Sequence, residues 1–114
     1  MKIPPSIRTL LGFARKGGTL LCGEAAVETG LKRRQLSLVI FSVDVPEKRR
    51  NNWIKWCEDL ELPYLIMGSK EEIGNALGMS PRGIIGIRDS KMAAAIRKNW
   101  TMENQVIPDT NGGG

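Results

Sequence analysis

Leu36-Ser37-Leu38-Val39-Ile40-Phe41-Ser42-Val43 gives the clearest strand signal in the chain, and its centre, Leu38-Val39-Ile40-Phe41, has no polar interruption. A short run rich in β-branched and aromatic residues reads as a strand, and one without polar alternation reads as covered on both faces. The flanking sequence supplies the covering helices. Before it, Glu24-Ala25-Ala26-Val27-Glu28-Thr29-Gly30-Leu31-Lys32-Arg33-Arg34 reads as a helix that opens at Gly23 and turns Ala26, Val27 and Leu31 inward. Its acidic residues come early and its basic residues late, the order that the helix dipole favours. Gly30 is expected to weaken this helix by up to about 1 kcal/mol relative to alanine. After the strand, Asp44-Val45-Pro46-Glu47 is a helix start with proline near the first helical position, and an inner stripe of Trp53, Ile54, Cys57 and Leu60 carries that helix to about residue 60.

The same alternation extends in both directions. Ile7, Leu10, Leu11 and Ala14 recur at helical spacing behind Pro4 and Pro5, which predicts a first helix over residues 5–16, closed by Gly17. Thr19 to Cys22 is short and apolar, hence a strand or an extended connector. Pro63 introduces a strand over residues 64–67, and Ser69 with Glu72 three positions later forms a capping-box pattern for a helix that stops at Gly78. Ile84-Ile85-Gly86-Ile87 is the last strand. A final helix follows Asp89-Ser90 and carries Met92, Ala95, Ile96 and Trp100. The fold class is therefore α/β: a three-layer α/β/α sandwich on a central, at least partly parallel sheet of about four strands. Residues 1–102 form one domain, and residues 103–114, which contain Pro108 and end in three glycines, are expected to be a flexible tail.

Composition narrows the function. The 114 residues hold 17 Lys and Arg against 12 Asp and Glu, a net charge of +5 that suits polyanionic partners, nucleic acid first, or serves solubility alone. With no histidine and only Cys22 and Cys57, imidazole acid–base chemistry and nearly every ordinary zinc site are excluded, and no metal is expected. Both cysteines lie among apolar neighbours and read as buried free thiols. The amino terminus lacks a signal-peptide pattern and no apolar run has membrane-spanning length, so a cytoplasmic protein with no membrane partner is expected.

Lys16-Gly17-Gly18-Thr19-Leu20-Leu21-Cys22-Gly23-Glu24-Ala25-Ala26 places a helix end, an extended piece and a glycine-opened helix start in close succession. Glycine there leaves backbone N–H groups open to an anion, or serves the geometry of a tight connection. Taken with Leu11-Gly12-Phe13-Ala14-Arg15-Lys16-Gly17-Gly18, Leu38-Val39-Ile40, Pro63-Tyr64, Gly68-Ser69-Lys70-Glu71-Glu72-Ile73-Gly74 and Leu77-Gly78, it resembles the ribosomal L-seven-Ae/L-thirty-e protein family, the bacterial YlxQ-like branch above all, over about residues 6–96. The resemblance implies a non-enzymatic, cofactor-free protein that binds kink-turn or similarly bent RNA, associated with the ribosome or another structured RNA. It implies contacts from the helix start at Gly23, Glu24 and Ala25 and from the loop Ser80, Pro81, Arg82 and Gly83. Lys16, Gly17, Gly18, Lys32 and Arg33 are the supporting candidates on the same composite surface. Where archaeal kink-turn binders read Gly-x-Asn-Glu-x-x-Lys, this chain has Ala25, Ala26 and Thr29 at the Asn, Glu and Lys positions. A protein–protein adaptor built on the same fold is the alternative.

Overall fold

Five helices and four strands alternate through residues 2–104, the part of the chain that the computed structural model describes. They are α1 (Pro5–Lys16), β1 (Leu20–Cys22), α2 (Glu24–Lys32), β2 (Leu38–Phe41), α3 (Glu47–Asp59), β3 (Tyr64–Ile66), α4 (Lys70–Leu77), β4 (Ile84–Ile87) and α5 (Ser90–Asn104). The strands form one mixed sheet in the order β1-β4-β2-β3. β2 and β3 are parallel, joined by α3 as a crossover, while β4 runs antiparallel to β1 and β2. Every residue of the inner strands β2 and β4 is buried, and the three-residue edge strands β1 and β3 are half-buried.

The period of two along β2 divides the core into two layers. Leu38 and Ile40 face α1, α4 and α5, where they meet Ile7, Leu11, Ile73, Leu77 and Ile96. Val39 and Phe41 face α2 and α3, where they meet Val27, Leu31, Trp53 and Cys57. This is the α/β/α sandwich, with three helices on one face and two on the other. Phe41 sits edge-on to both Trp53 and Tyr64, at centroid distances of 6.4 and 6.1 Å.

Helix ends follow from specific residues. Ser69 accepts from the Glu72 N–H at 3.1 Å while Glu72 accepts from the Ser69 N–H at 3.0 Å, a complete capping box for α4, and Gly78 closes that helix in the left-handed region at φ 67°. The Arg15 guanidinium donates to the Leu77 carbonyl, so α1 caps the end of α4 as well. α2 and α3 both finish in the paired hydrogen bonds of a Schellman motif. In α2, Arg34 N–H donates to Leu31 O and Gln35 N–H to Gly30 O; in α3, Glu61 N–H donates to Glu58 O and Leu62 N–H to Cys57 O. The left-handed residue of each motif is not glycine but Arg34 or Glu61, both at φ 54°.

Some elements differ from the sequence reading. β2 is shorter than residues 36–43: Ser42 N–H still pairs in register with Gly83 O, but Val43 N–H goes to Gly68 O, one residue out of the β2–β3 pattern. Ala26 is only half-buried, and Gly30 takes the inward position instead. A Cβ at Gly30 would lie 2.6 Å from Leu21 Cδ1, so this glycine serves helix–sheet packing. α5 continues through Asn104, and the expected flexible tail otherwise falls at residues 105–114, outside the described residues.

Candidate nucleic-acid interface

The register brings the ends of β1, β2 and β3 and the start of β4 to one end of the sheet, so α2, α3 and α4 all begin there. Gly23 N–H donates to Ile84 O at 3.0 Å, which holds the start of α2 against the start of β4. Arg82 N–H donates to Lys70 O at 3.0 Å, which holds the incoming loop against the start of α4. Between them lies a cleft of about 250 Å³. Val45, Pro46, Pro81 and Ile84 give it apolar walls, Gly23 and Gly83 give it two backbone surfaces, and Glu24, Arg49, Lys70 and Arg82 give it three cations and one carboxylate.

Gly23 precedes α2 at φ 92° and ψ 155°, a conformation that glycine adopts freely and an L side chain rarely does. Nothing lies within 4 Å of where its Cβ would be, so the helix start is open to close approach. Glu24, the first residue of α2, accepts from Arg49 Nε at 3.1 Å, from the second arm of the same guanidinium, and from Trp53 Nε1 at 3.3 Å. The carboxylate therefore ties α2 to α3 and holds Arg49 at the cleft. Arg82 Nη1 donates to Ser80 Oγ at 2.6 Å and to Pro81 O at 3.0 Å, folding the guanidinium back over its own loop. Asp44 accepts from the Lys70 N–H at 3.1 Å and so caps the same end of α4 from the loop after β2.

Of the residues singled out from sequence, Gly23, Glu24, Pro81, Arg82 and Gly83 share this cleft. Ala25 is exposed one position along α2, and Ser80 is exposed beside Arg82. Lys16, Gly17 and Gly18 lie at the other end of β1. Lys32 and Arg33 lie at the other end of α2, about 13 Å away at 1.5 Å per helical residue. Lys32 is paired with Glu28 at 2.9 Å. The sequence reading did not place Val45, Pro46, Arg49 and Lys70 at the site; Val45 and Pro46 reach the cleft from the turn before α3, Arg49 from α3 and Lys70 from the start of α4.

Neither cysteine has the environment of a reactive thiol. Burial pushes the Cys57 thiol up to about 11, with Glu58 adding to the rise. Burial also raises Cys22, against the opposing pull of Arg82 and Arg15. Both thiols are free. Among the described residues no group of His, Cys, Asp and Glu is placed to hold a metal ion, and no helix is long and apolar enough to cross a membrane.

A mixed four-stranded sandwich of this order, with one cleft joining a glycine-opened helix start to the loop before β4, defines a class of small α/β/α domains. Residues 6–96 match the ribosomal protein L7Ae/L30e/S12e/Gadd45 family, and the chain belongs to that family. It is similar to a protein of unknown function from Bacillus halodurans, at 30% identity over 82% of this chain and 99% of that one, with a TM-score of 0.75. It shares its fold with a 15.5 kD RNA-binding protein from Giardia lamblia, at 22% identity over 82% of this chain and 80% of that one, with a TM-score of 0.71.

Proposed function

We propose that this protein binds structured RNA of the kink-turn or a similarly bent type, as a ribosome-associated, non-enzymatic factor, through the cleft between the start of α2 and residues 80–83. The observation that carries the reading is the open, positive-φ Gly23 facing Arg82 and Gly83 across a cleft that also holds Arg49 and Lys70. Duplex RNA offers side chains little in its deep groove, so proteins favour bent or unpaired segments that a backbone can approach closely and cations can surround. Membership of the family and the likeness to the Giardia RNA-binding protein support RNA as the ligand class, and the Bacillus halodurans likeness supports a place in the bacterial branch.

Ala25, Ala26 and Thr29 offer no charged or amide side chain. Recognition therefore rests on backbone, shape and the rim cations, and affinity depends strongly on salt. Titration with a kink-turn RNA and a straight duplex of the same length, at two salt concentrations, tests the reading. Tighter binding to the bent RNA, weakened by Arg82→Ala, is expected. Equal binding to both refutes bent-RNA recognition, and absence of binding to either refutes RNA as the ligand and leaves the adaptor reading.

A further inference from the structure

The end of the sheet opposite the cleft carries its own group of cations. Thr19, Arg88 and Ser37 are neighbours across β1, β4 and β2: Arg88 N–H donates to Thr19 O at 2.7 Å, and Ser37 Oγ donates to Arg88 O at 3.2 Å. Lys16 lies just before this row on the β1 side, and Arg33 and Arg34 just before it on the β2 side. Lys16, Arg33, Arg34 and Arg88 are all exposed. The ion pairs among the described residues are Lys32–Glu28 and Arg49–Glu24, so none of these four has a carboxylate partner. Asp89 stands nearby but accepts the Lys91 N–H at 3.1 Å, and Glu61 belongs to the neighbouring turn after α3.

Two further observations give the arc a direction and a cost. The exposed ridge of α2 that links it to the cleft carries Ala25 and Thr29, and the Thr29 hydroxyl is turned back onto Ala25 O at 3.1 Å. Small neutral side chains along that ridge let a polyanion lie close to the helix, past the paired Glu28 and Lys32, before it meets Arg33 and Arg34 just beyond the helix end. Arg34 occupies the left-handed position of a Schellman motif at φ 54°, where glycine is the least strained residue. The chain holds an arginine there against its backbone preference.

We infer that Lys16, Arg33, Arg34 and Arg88 form a second RNA contact, which holds the phosphate backbone of a helical arm that leaves the cleft and runs along α2. The inference rests on the cleft reading for the identity of the ligand, and it makes the interface two-ended. The side chains of the arc are long, flexible cations, which suits phosphates and carries no base specificity.

The test uses the full chain and two bent RNAs that differ only in one arm, one of them longer by about a helical turn. The long-armed RNA is expected to bind more tightly. Arg34→Gly is expected to raise the thermal midpoint, lower affinity for the long-armed RNA, and reduce its log–log salt slope by about 0.9, with the short-armed RNA unaffected. Lys16→Ala/Arg33→Ala/Arg88→Ala is expected to reduce that slope by about 2.7. The opposite signs for stability and binding in Arg34→Gly separate an RNA contact from a structural role. Equal affinity for the two RNAs, or equal losses on both in the variants, overturns the inference. Arg82→Ala reports on the cleft alone: if it is silent while the arc variants weaken binding, the cleft reading fails and the arc stands. A chain that binds neither RNA overturns both.

Discussion

Replacing Gly74 by alanine sets two physical effects against each other. Gly74 lies inside α4, where alanine is favoured over glycine by about 1 kcal/mol. A Cβ there would stand 2.5 Å from Ser80 O, 2.8 Å from Ser80 C and 2.9 Å from Met79 O. These are backbone atoms of the loop that returns along α4, so no rotamer change relieves the contact; loop and helix must separate by roughly 0.9 Å to reach ordinary packing distance. Overpacking of this kind costs about 1–3 kcal/mol, and with backbone on the far side the upper part of that range applies. The net expectation is a loss of about 1–2 kcal/mol, or a fall of about 5–10 °C in Tm for a domain of this size, read by circular dichroism. Gly12→Ala is the matched control. It also lies inside a helix, but nothing lies within 4 Å of its Cβ, and it should raise stability by up to about 1 kcal/mol. A Tm that rises in both variants would refute the packing argument and leave helix propensity in command.

Three further outcomes follow from contacts described above. Ser69→Ala removes the acceptor for the Glu72 N–H and should cost about 1 kcal/mol in chemical denaturation; a loss below about 0.3 kcal/mol would show that Asp44 alone suffices as the cap. Glu24→Ala breaks the link from α2 to Arg49 and Trp53; the exposed ion pair adds no more than about 1 kcal/mol, and with the buried Trp53 indole N–H losing its acceptor the cost should be about 1–3 kcal/mol, accompanied by a change in tryptophan fluorescence. Cys57, with its pKa of about 11, carries a thiolate fraction on the order of 10⁻³ at pH 8, so alkylation of the native protein should spare it until the chain unfolds; labelling at the rate of a free peptide thiol would contradict its burial.

The fold was legible wherever local chemistry sets an element's limits. Pro5 and the glycine at 17 bound α1, Ser69 with Glu72 and Gly78 bound α4, and the unbroken apolar runs gave the two inner strands. Errors arose where distant backbone decides the outcome. β2 ends short of Val43 because Gly68 O takes the Val43 N–H out of the parallel pattern, and Gly30 faces inward because Leu21 and Leu36 close over it. The candidate site was legible by halves. Gly23 and the loop ending at Gly83 are marked in the sequence, but Arg49 and Lys70 reach the cleft only through the crossover geometry of α3 and the start of α4. Closeness in sequence also misleads: Gly18 and Gly23 flank the same three-residue strand and therefore stand at opposite ends of the sheet.

The hydrogen bond from Gly23 N–H to Ile84 O joins residues about sixty apart in the chain. Among the described residues β1 pairs with β4 alone, and the pairing joins Leu20 to Ile87. Contacts this far apart along the chain carry a larger loop-closure cost than the local helices or the β2–β3 pair. The cleft therefore exists only once β4 has emerged and paired. A growing chain stalled before residue 84 presents the helix start of α2 without its opposing wall.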